Sequence, residues 1–266
     1  MSTTDQAICL RTTDWSETSQ VVHLLTRQTG VVRLLAKGTK RAKSKSGGAL
    51  DFFSEGGVVF AGAGREALGT LMEFVEEVIH TDIRADLRRL RIGLFMLELT
   101  SALLPEVDPY PEVFDLLHNA LARLGQADAS PPAVLAYFQY RLLRHVGLLG
   151  EVRSCIACGS TGVPVAAATT PELPYFSSSA GGLLCRNCEP AATEKMSAGE
   201  GGAAALATLA AAEAGRRVKL PDDWAEQANR LLAYHAEYQL GRRLKTARQA
   251  LAYQRMTKPE ARMTNE

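Results

Sequence analysis

The chain has 266 residues, 46% hydrophobic and 22% charged. These are the proportions of an ordinary globular protein, which excludes wholesale disorder and collagen. Lys+Arg number 30 against 29 Asp+Glu, a net charge of +1, so a uniformly basic coat is excluded and any affinity for phosphates must come from charges segregated along the chain. The length suits one large domain or two to three small ones. No run approaches the roughly 18 apolar residues of a membrane span, and Met1 to Gln6 lacks the basic and apolar stretches of a signal peptide. A cytosolic protein is expected.

The first 80 residues read as strands. Ile8, Leu10 and Thr12 alternate with Ala7, Cys9 and Arg11; Val21–Leu25 and Val31–Leu35 are short apolar runs around a Thr29-Gly30 turn. Val58–Phe60 is a fourth candidate, and Leu68–Phe74 a fifth that is also compatible with a helix. Five short strands suggest a small barrel, since closure removes exposed edges. Between the third and fourth lies Lys37-Gly38-Thr39-Lys40-Arg41-Ala42-Lys43-Ser44-Lys45, a basic loop without apolar periodicity. Residues 1–50 carry eight basic and three acidic side chains, 51–80 one basic and six acidic, and 201–266 eleven basic and seven acidic. Two basic clusters thus lie near the ends of a neutral body, a pattern that suits phosphate binding.

From residue 81 the period becomes helical, with Ile83, Leu87, Leu90, Leu94 and Leu97 on one expected helix. A second helix is expected over Val113–Gly125, and a third after Ser130-Pro131-Pro132, a capping serine with prolines in the first turn. An Ala-rich helix over Gly201–Ala214 and a last one from Pro221 complete the order. The basic residues Arg242, Arg243, Lys245 and Arg248 are expected on that last helix, with Arg242, Lys245 and Arg248 sharing a face. The tail 257–266 is polar.

Cys155-x2-Cys158 and Cys185-x2-Cys188 are two knuckles separated by 26 residues. Two intervening residues let both thiolates of a knuckle face one ion, and two knuckles complete a four-thiolate tetrahedron that leaves no position for an activated water. One structural zinc is the expectation, with Gly159 and Gly181-Gly182 supplying tight backbone. Paired disulfides are disfavoured in a cytosolic chain, and neither pair opens a helix of a βαβ unit as a redox motif does. Cys9 reads as a buried small hydrophobe.

No nucleotide-loop, dinucleotide, zinc-protease or serine-hydrolase motif is present. His80 and His235 each have an acid two residues on, Asp82 and Glu237, without a third ligand or nucleophile. A binding protein, not an enzyme, is expected.

With these motifs placed, the chain resembles the bacterial recombination mediator family RecO. The resemblance rests on Asp14-Trp15-Ser16-Glu17 through Thr26, the basic loop from Ala36 to Ser44, Tyr140–Gly147 leading to the cysteines, and Leu231–His235 with Gly241–Thr246. Thr246 stands where the family pattern suggests Ser, and the Ala/Gly-rich stretch 199–214 matches no block. The resemblance implies an α+β fold: an OB-fold barrel over 1–80, an α-helical domain over 81–150 and 197–256, and a zinc element over 151–196. It implies a DNA-repair and recombination mediator of the RecFOR pathway, cytoplasmic and nucleoid-associated. Such a mediator binds single- and double-stranded DNA, anneals strands, assembles with RecR and meets the acidic tail of the single-strand-binding protein, so that RecA loads. The DNA-binding candidates are Trp15, Arg33, Lys37, Lys40, Arg41, Lys43, Lys45, Arg242, Arg243 and Lys245. Trp15, Phe52, Phe53 and Phe60 are the stacking candidates, with Phe60 expected in the core and Trp15 the best of them. The alternative is a zinc-containing structural or adaptor protein that binds proteins only.

Overall fold

The computed structural model of the chain describes residues 2–40, 48–65, 67–161, 173–215 and 219–251. Strands β1 (Ser2–Asp14), β2 (Gln20–Thr26), β3 (Gly30–Ala36), β4 (Glu55–Ala61) and β5 (Gly69–Val78) close into a barrel in the order β1-β2-β3-β5-β4. The β3–β5 pairing is parallel and joins only Leu34 to Gly69 and Leu35 to Thr70. This is the partly open five-stranded barrel of an OB fold. The segment around Leu68–Phe74 is a strand: Leu71 and Phe74 enter the barrel core while Met72, Glu73 and Val75 face outward.

Simple alternation fails in β1, where Ala7, Ile8, Cys9 and Leu10 are all buried. Ala7 and Cys9 face the barrel interior with Val22, Leu24, Val58 and Phe60. Ile8 and Leu10 belong to a second core that continues into the helices. A strand covered on both faces reads as a continuous apolar run. Phe53 joins that second core, and a Cβ on Gly93 would come within 2.8 Å of its ring. Phe53 and Phe60 are therefore buried structural aromatics, which corrects the expectation that Phe53 offers a stacking surface.

The helical part comprises α1 (Thr81–Ala85), α2 (Leu87–Leu103), α3 (Pro111–Gly125) and α4 (Pro131–His145), then a small sheet, then α5 (Gly199–Glu213), α6 (Asp222–Leu240) and α7 (Ala247–Ala250). The single helix expected from residue 81 is two. Asp86 is extended, and its carboxylate accepts the Arg89 N–H at 2.8 Å to start α2 afresh. The break moves Leu87 out of phase with Ile83, so Ile83 is buried and Leu87 exposed. Ser130 does cap α4, accepting from the Ala133 N–H at 3.3 Å.

The Ala/Gly-rich stretch has a packing role. A Cβ on Gly201 would lie 2.8 Å from Trp224 Cδ1, and one on Gly202 2.7 Å from Leu231 Cδ1. Small residues here let α5 approach α6 closely. The sheet between α4 and α5, strands β6 (Tyr175–Ser177), β7 (Gly182–Leu184) and β8 (Met196–Ser197) in the order β7-β6-β8, carries the cysteines. Its Phe176, Leu183 and Leu184 share the helical core. Among the described residues no helix is long and apolar enough to cross a membrane.

Candidate nucleic-acid interface and metal centre

The four paired cysteines converge. Their sulfur atoms all lie within 4.8 Å of one another, and Cys158 Sγ is 3.8 Å from Cys185 Sγ. A tetrahedron with metal–sulfur bonds of about 2.3 Å has edges of about 3.8 Å, so the cluster fits one metal ion. The first knuckle is closed by Gly159 N–H to Cys155 O at 2.8 Å, with Gly159 at φ 73°. The second is closed by Cys188 N–H and Glu189 N–H to Cys185 O, and the Cys185 N–H points at Cys155 Sγ across 3.4 Å. Hydrogen bonding with Ser160, 3.2 Å away, pulls the Cys158 thiol down to about 6, while hydrogen bonding with Cys158 and Cys185 pushes Cys188 up to about 12. Thiols gathered in this way lose their protons on binding a cation. All five cysteines are free of disulfides. Cys9 is fully buried, and that burial pushes its thiol up to about 12.

At one end of the barrel the β1–β2 turn carries Trp15, 65% exposed. The turn is tied to the start of the basic loop: Lys40 N–H donates to Thr18 O at 3.2 Å, and Gly38 N–H to Ser19 Oγ at 3.3 Å. Lys37 is exposed, whereas Lys40 Nζ pairs with Asp14 at 2.5 Å. Arg33 is paired with Glu106 at 2.8 Å. Arg41, Lys43 and Lys45 lie outside the described residues, as does the tail 257–266.

The second basic cluster departs from its expected geometry. Gly241, in the left-handed region at φ 63°, ends α6, and α7 begins only at Ala247. Arg242, Lys245 and Arg248 therefore do not share one helical face. Two carboxylates hold the irregular segment between the helices. Glu237 accepts the Leu244 N–H at 2.9 Å. Glu98 of α2 accepts the Lys245 N–H at 2.9 Å, the Thr246 N–H at 2.8 Å and the Thr246 hydroxyl at 2.5 Å. Burial works to raise the Glu98 pKa, but these bonds and nearby Arg242 reverse it, so the group ionises below the usual carboxylate range. A hydroxyl is what position 246 requires, and Thr supplies it as Ser would. The cations themselves stay exposed, and among the described residues Arg242, Arg243, Lys245 and Arg248 form no salt bridge.

The histidine–acid pairs suggested by proximity do not form. His235 is buried against Phe176, with its Nε2 2.8 Å from Leu148 O. His80 instead meets Glu55 at 3.3 Å, and Glu55 also bonds His118 of α3. Burial raises the Glu55 pKa, the two histidines lower it further, and the net shift is downward. This cluster, buried at Glu55 and His80 and open to solvent at His118, staples the barrel to the helices. The roles of Glu55 and Glu98 escaped sequence reasoning because their partners are remote, Glu98 and Thr246 being 148 residues apart, whereas Glu237 meets the main chain seven residues on at Leu244 rather than His235.

Comparison with known proteins converges on one family. Residues 1–76 match the model for the recombination protein O N terminal, and residues 84–248 that for the recombination protein O C terminal. A DNA repair protein RecO from Myxococcus xanthus (strain DK1622) is 32% identical over 249 residues, covering 91% of this chain and 94% of the relative. Another, from Anaeromyxobacter sp. (strain Fw109-5), is 35% identical over 250 residues, covering 91% and 92%. A third, from Geobacter metallireducens, is 34% identical over 187 residues, covering 70% and 72%. With its OB barrel, helical region and four-cysteine cluster, the chain belongs to the RecO family, whose function is DNA repair and recombination.

Proposed function

We propose that the protein is a DNA-binding recombination mediator. It holds single- and double-stranded DNA, promotes annealing, and helps RecA load onto strands coated by single-strand-binding protein, in assembly with RecR. It works in the cytoplasm on the nucleoid. The observation that carries this reading is the hydrogen-bonded union of the exposed Trp15 turn with the start of the basic loop at one barrel end. In OB folds the β1–β2 loop, which Trp15 occupies here, is one of those that meet oligonucleotides. An annealing protein needs to hold backbone and leave base edges free, and long cationic side chains do that without reading sequence. Trp15 offers a stacking face. Lys37, with Arg41, Lys43 and Lys45, neutralises phosphates there, Lys40 (paired with Asp14) and Arg33 (paired with Glu106) contribute at the margin, and Arg242, Arg243 and Lys245 form a second phosphate-binding patch.

Cys155, Cys158, Cys185 and Cys188 hold one zinc ion, whose four thiolates leave no open position, so its contribution is to folding. The acidic tail of the single-strand-binding protein enters a recess of about 500 Å3 between α2, α4, α6 and α7, rimmed by Arg88, Arg91 and Arg230 over Ile92 and Leu135.

A salt series tests the DNA reading. Replacing Lys40, Arg41 and Lys43 with Ala lowers the slope of log K against log[salt] by about 0.7 for each phosphate that is no longer neutralised on a single strand. The weakening is nearly equal for unrelated sequences. An unchanged slope returns the loop to a solvated surface. For the tail, Arg91→Glu with Arg230→Glu abolishes binding of an acidic tail peptide and spares DNA; retained peptide binding rejects the recess.

A further inference from the structure

The C-terminal half of α6 exposes two aromatic rings one turn apart. Tyr234 is 40% and Tyr238 44% exposed. They occupy positions i and i+4, so they lie on one face about 6 Å apart along the axis. One further step of four along the chain is Arg242, beyond the Gly241 cap, followed by Arg243 and Lys245. Among the described residues these are the large apolar side chains that α6 exposes; its aliphatic side chains are covered. Exposed rings followed by exposed cations form a pattern that holds an unpaired strand.

The face is also built in place. Burial and the nearby Glu194 carboxylate raise the pKa of the Tyr234 hydroxyl, and Glu194 itself accepts the Ser178 N–H at 2.7 Å and the Ser179 N–H at 3.2 Å. At the other end, Glu98 and Glu237 bind backbone N–H groups of residues 244–246 and so fix the segment, forming no salt bridge to its cations among the described residues. A segment held in place reduces the ordering cost of binding.

We infer that Tyr234 and Tyr238 form a base-stacking platform for single-stranded nucleic acid, with Arg242, Arg243 and Lys245 receiving the phosphates at its end. The platform rests on the DNA-binding reading above and adds a second stacking site, remote in sequence from Trp15. Bases in a stacked strand are about 3.4 Å apart, so rings about 6 Å apart meet neighbouring bases only when the strand is extended. The platform accordingly favours single strands over duplex, whose bases are not free to stack on a side chain.

The test uses the full-length, metal-containing protein and fluorescence anisotropy with three probes: oligo-dT, an abasic strand of the same length and a duplex. Tyr234→Ala and Tyr238→Ala each weaken oligo-dT binding about tenfold, leave the abasic strand and duplex unchanged, and leave the salt slope unchanged. Tyr238→Phe, which keeps the ring, binds as the parent does, and melting temperatures identify any variant that has lost its fold. As an independent readout, a 5-iodouracil strand crosslinks to the peptide spanning 231–242. Tyrosine variants that bind oligo-dT like the parent, together with no crosslink in this peptide, overturn the platform. So does loss of an acidic peptide in place of the strand, which assigns the face to a protein. A parent protein that binds none of the three probes instead overturns the DNA reading itself.

Discussion

The two basic clusters look alike as sequence and differ as structure. At the barrel end, Lys40 is neutralised by Asp14 and Arg33 by Glu106. At the end of α6, the nearby acids Glu98 and Glu237 bind backbone N–H groups, and Arg242, Arg243 and Lys245 form no salt bridge among the described residues. A count of charges therefore misjudges how much charge is free for phosphates. What matters is whether a neighbouring carboxylate meets the cation or the main chain. The two regions also differ in support: the barrel has its own core, whereas α6 leans on the cysteine element through Phe176–His235 and the Gln239 bond to Ser178 O at 2.8 Å.

The largest effect expected is from breaking that support. Cys155→Ser, or removal of the metal by a chelator, should cost on the order of 5 kcal/mol and lower Tm by about 10–20 °C. Hydrogen exchange should rise in β6, β7 and the end of α6 while the barrel strands stay protected. Unchanged Tm after demonstrated metal loss would reject a structural ion.

Next, Arg242→Ala, Arg243→Ala and Lys245→Ala together should lower the single-strand salt slope by about 2. Arg33→Ala should leave it nearly unchanged, because its charge is already paired. Equal decreases at the two sites would mean that the ion pairs open on binding and that the contrast has no functional weight.

Glu98→Gln sharpens the comparison from the other side. It weakens charge-assisted hydrogen bonds and should cost about 1–3 kcal/mol, read by denaturant titration. Because the Glu98 pKa is lowered in the folded state, its stabilisation is present above the ordinary carboxylate range and is lost as pH falls through the lowered value. The variant and parent should thus converge in stability at strongly acidic pH, and a constant difference would show that the charge is not what holds the segment.

The smallest effect is at the barrel. Asp14→Asn frees Lys40 and should raise the salt slope by up to about 0.7. A decrease would show that Asp14 serves by positioning the loop.

Much was legible in the residue order. Paired cysteines with flanking glycines report a local geometry, and Ser130-Pro131-Pro132 reports a helix start, because both depend on neighbours a few positions away. Short apolar runs with turn residues reported a barrel for the same reason. Even there, tertiary packing altered details: Ala7–Leu10 is apolar throughout because the helices cover the face that water would otherwise have, and one expected helix became two at Asp86. The sequence by itself thus determined the α+β class, the order of the five barrel strands and the longer helices, the four-cysteine cluster and the existence of two basic ends. Only the tertiary structure decided which cations are free, that Glu98 binds a segment 148 residues away, that Glu55 joins His80 to His118, and that Gly201 and Gly202 admit α6. The division follows from range: caps, knuckles and periodicity are set by covalent neighbours, whereas the partner of a charge is set by whatever folding brings beside it.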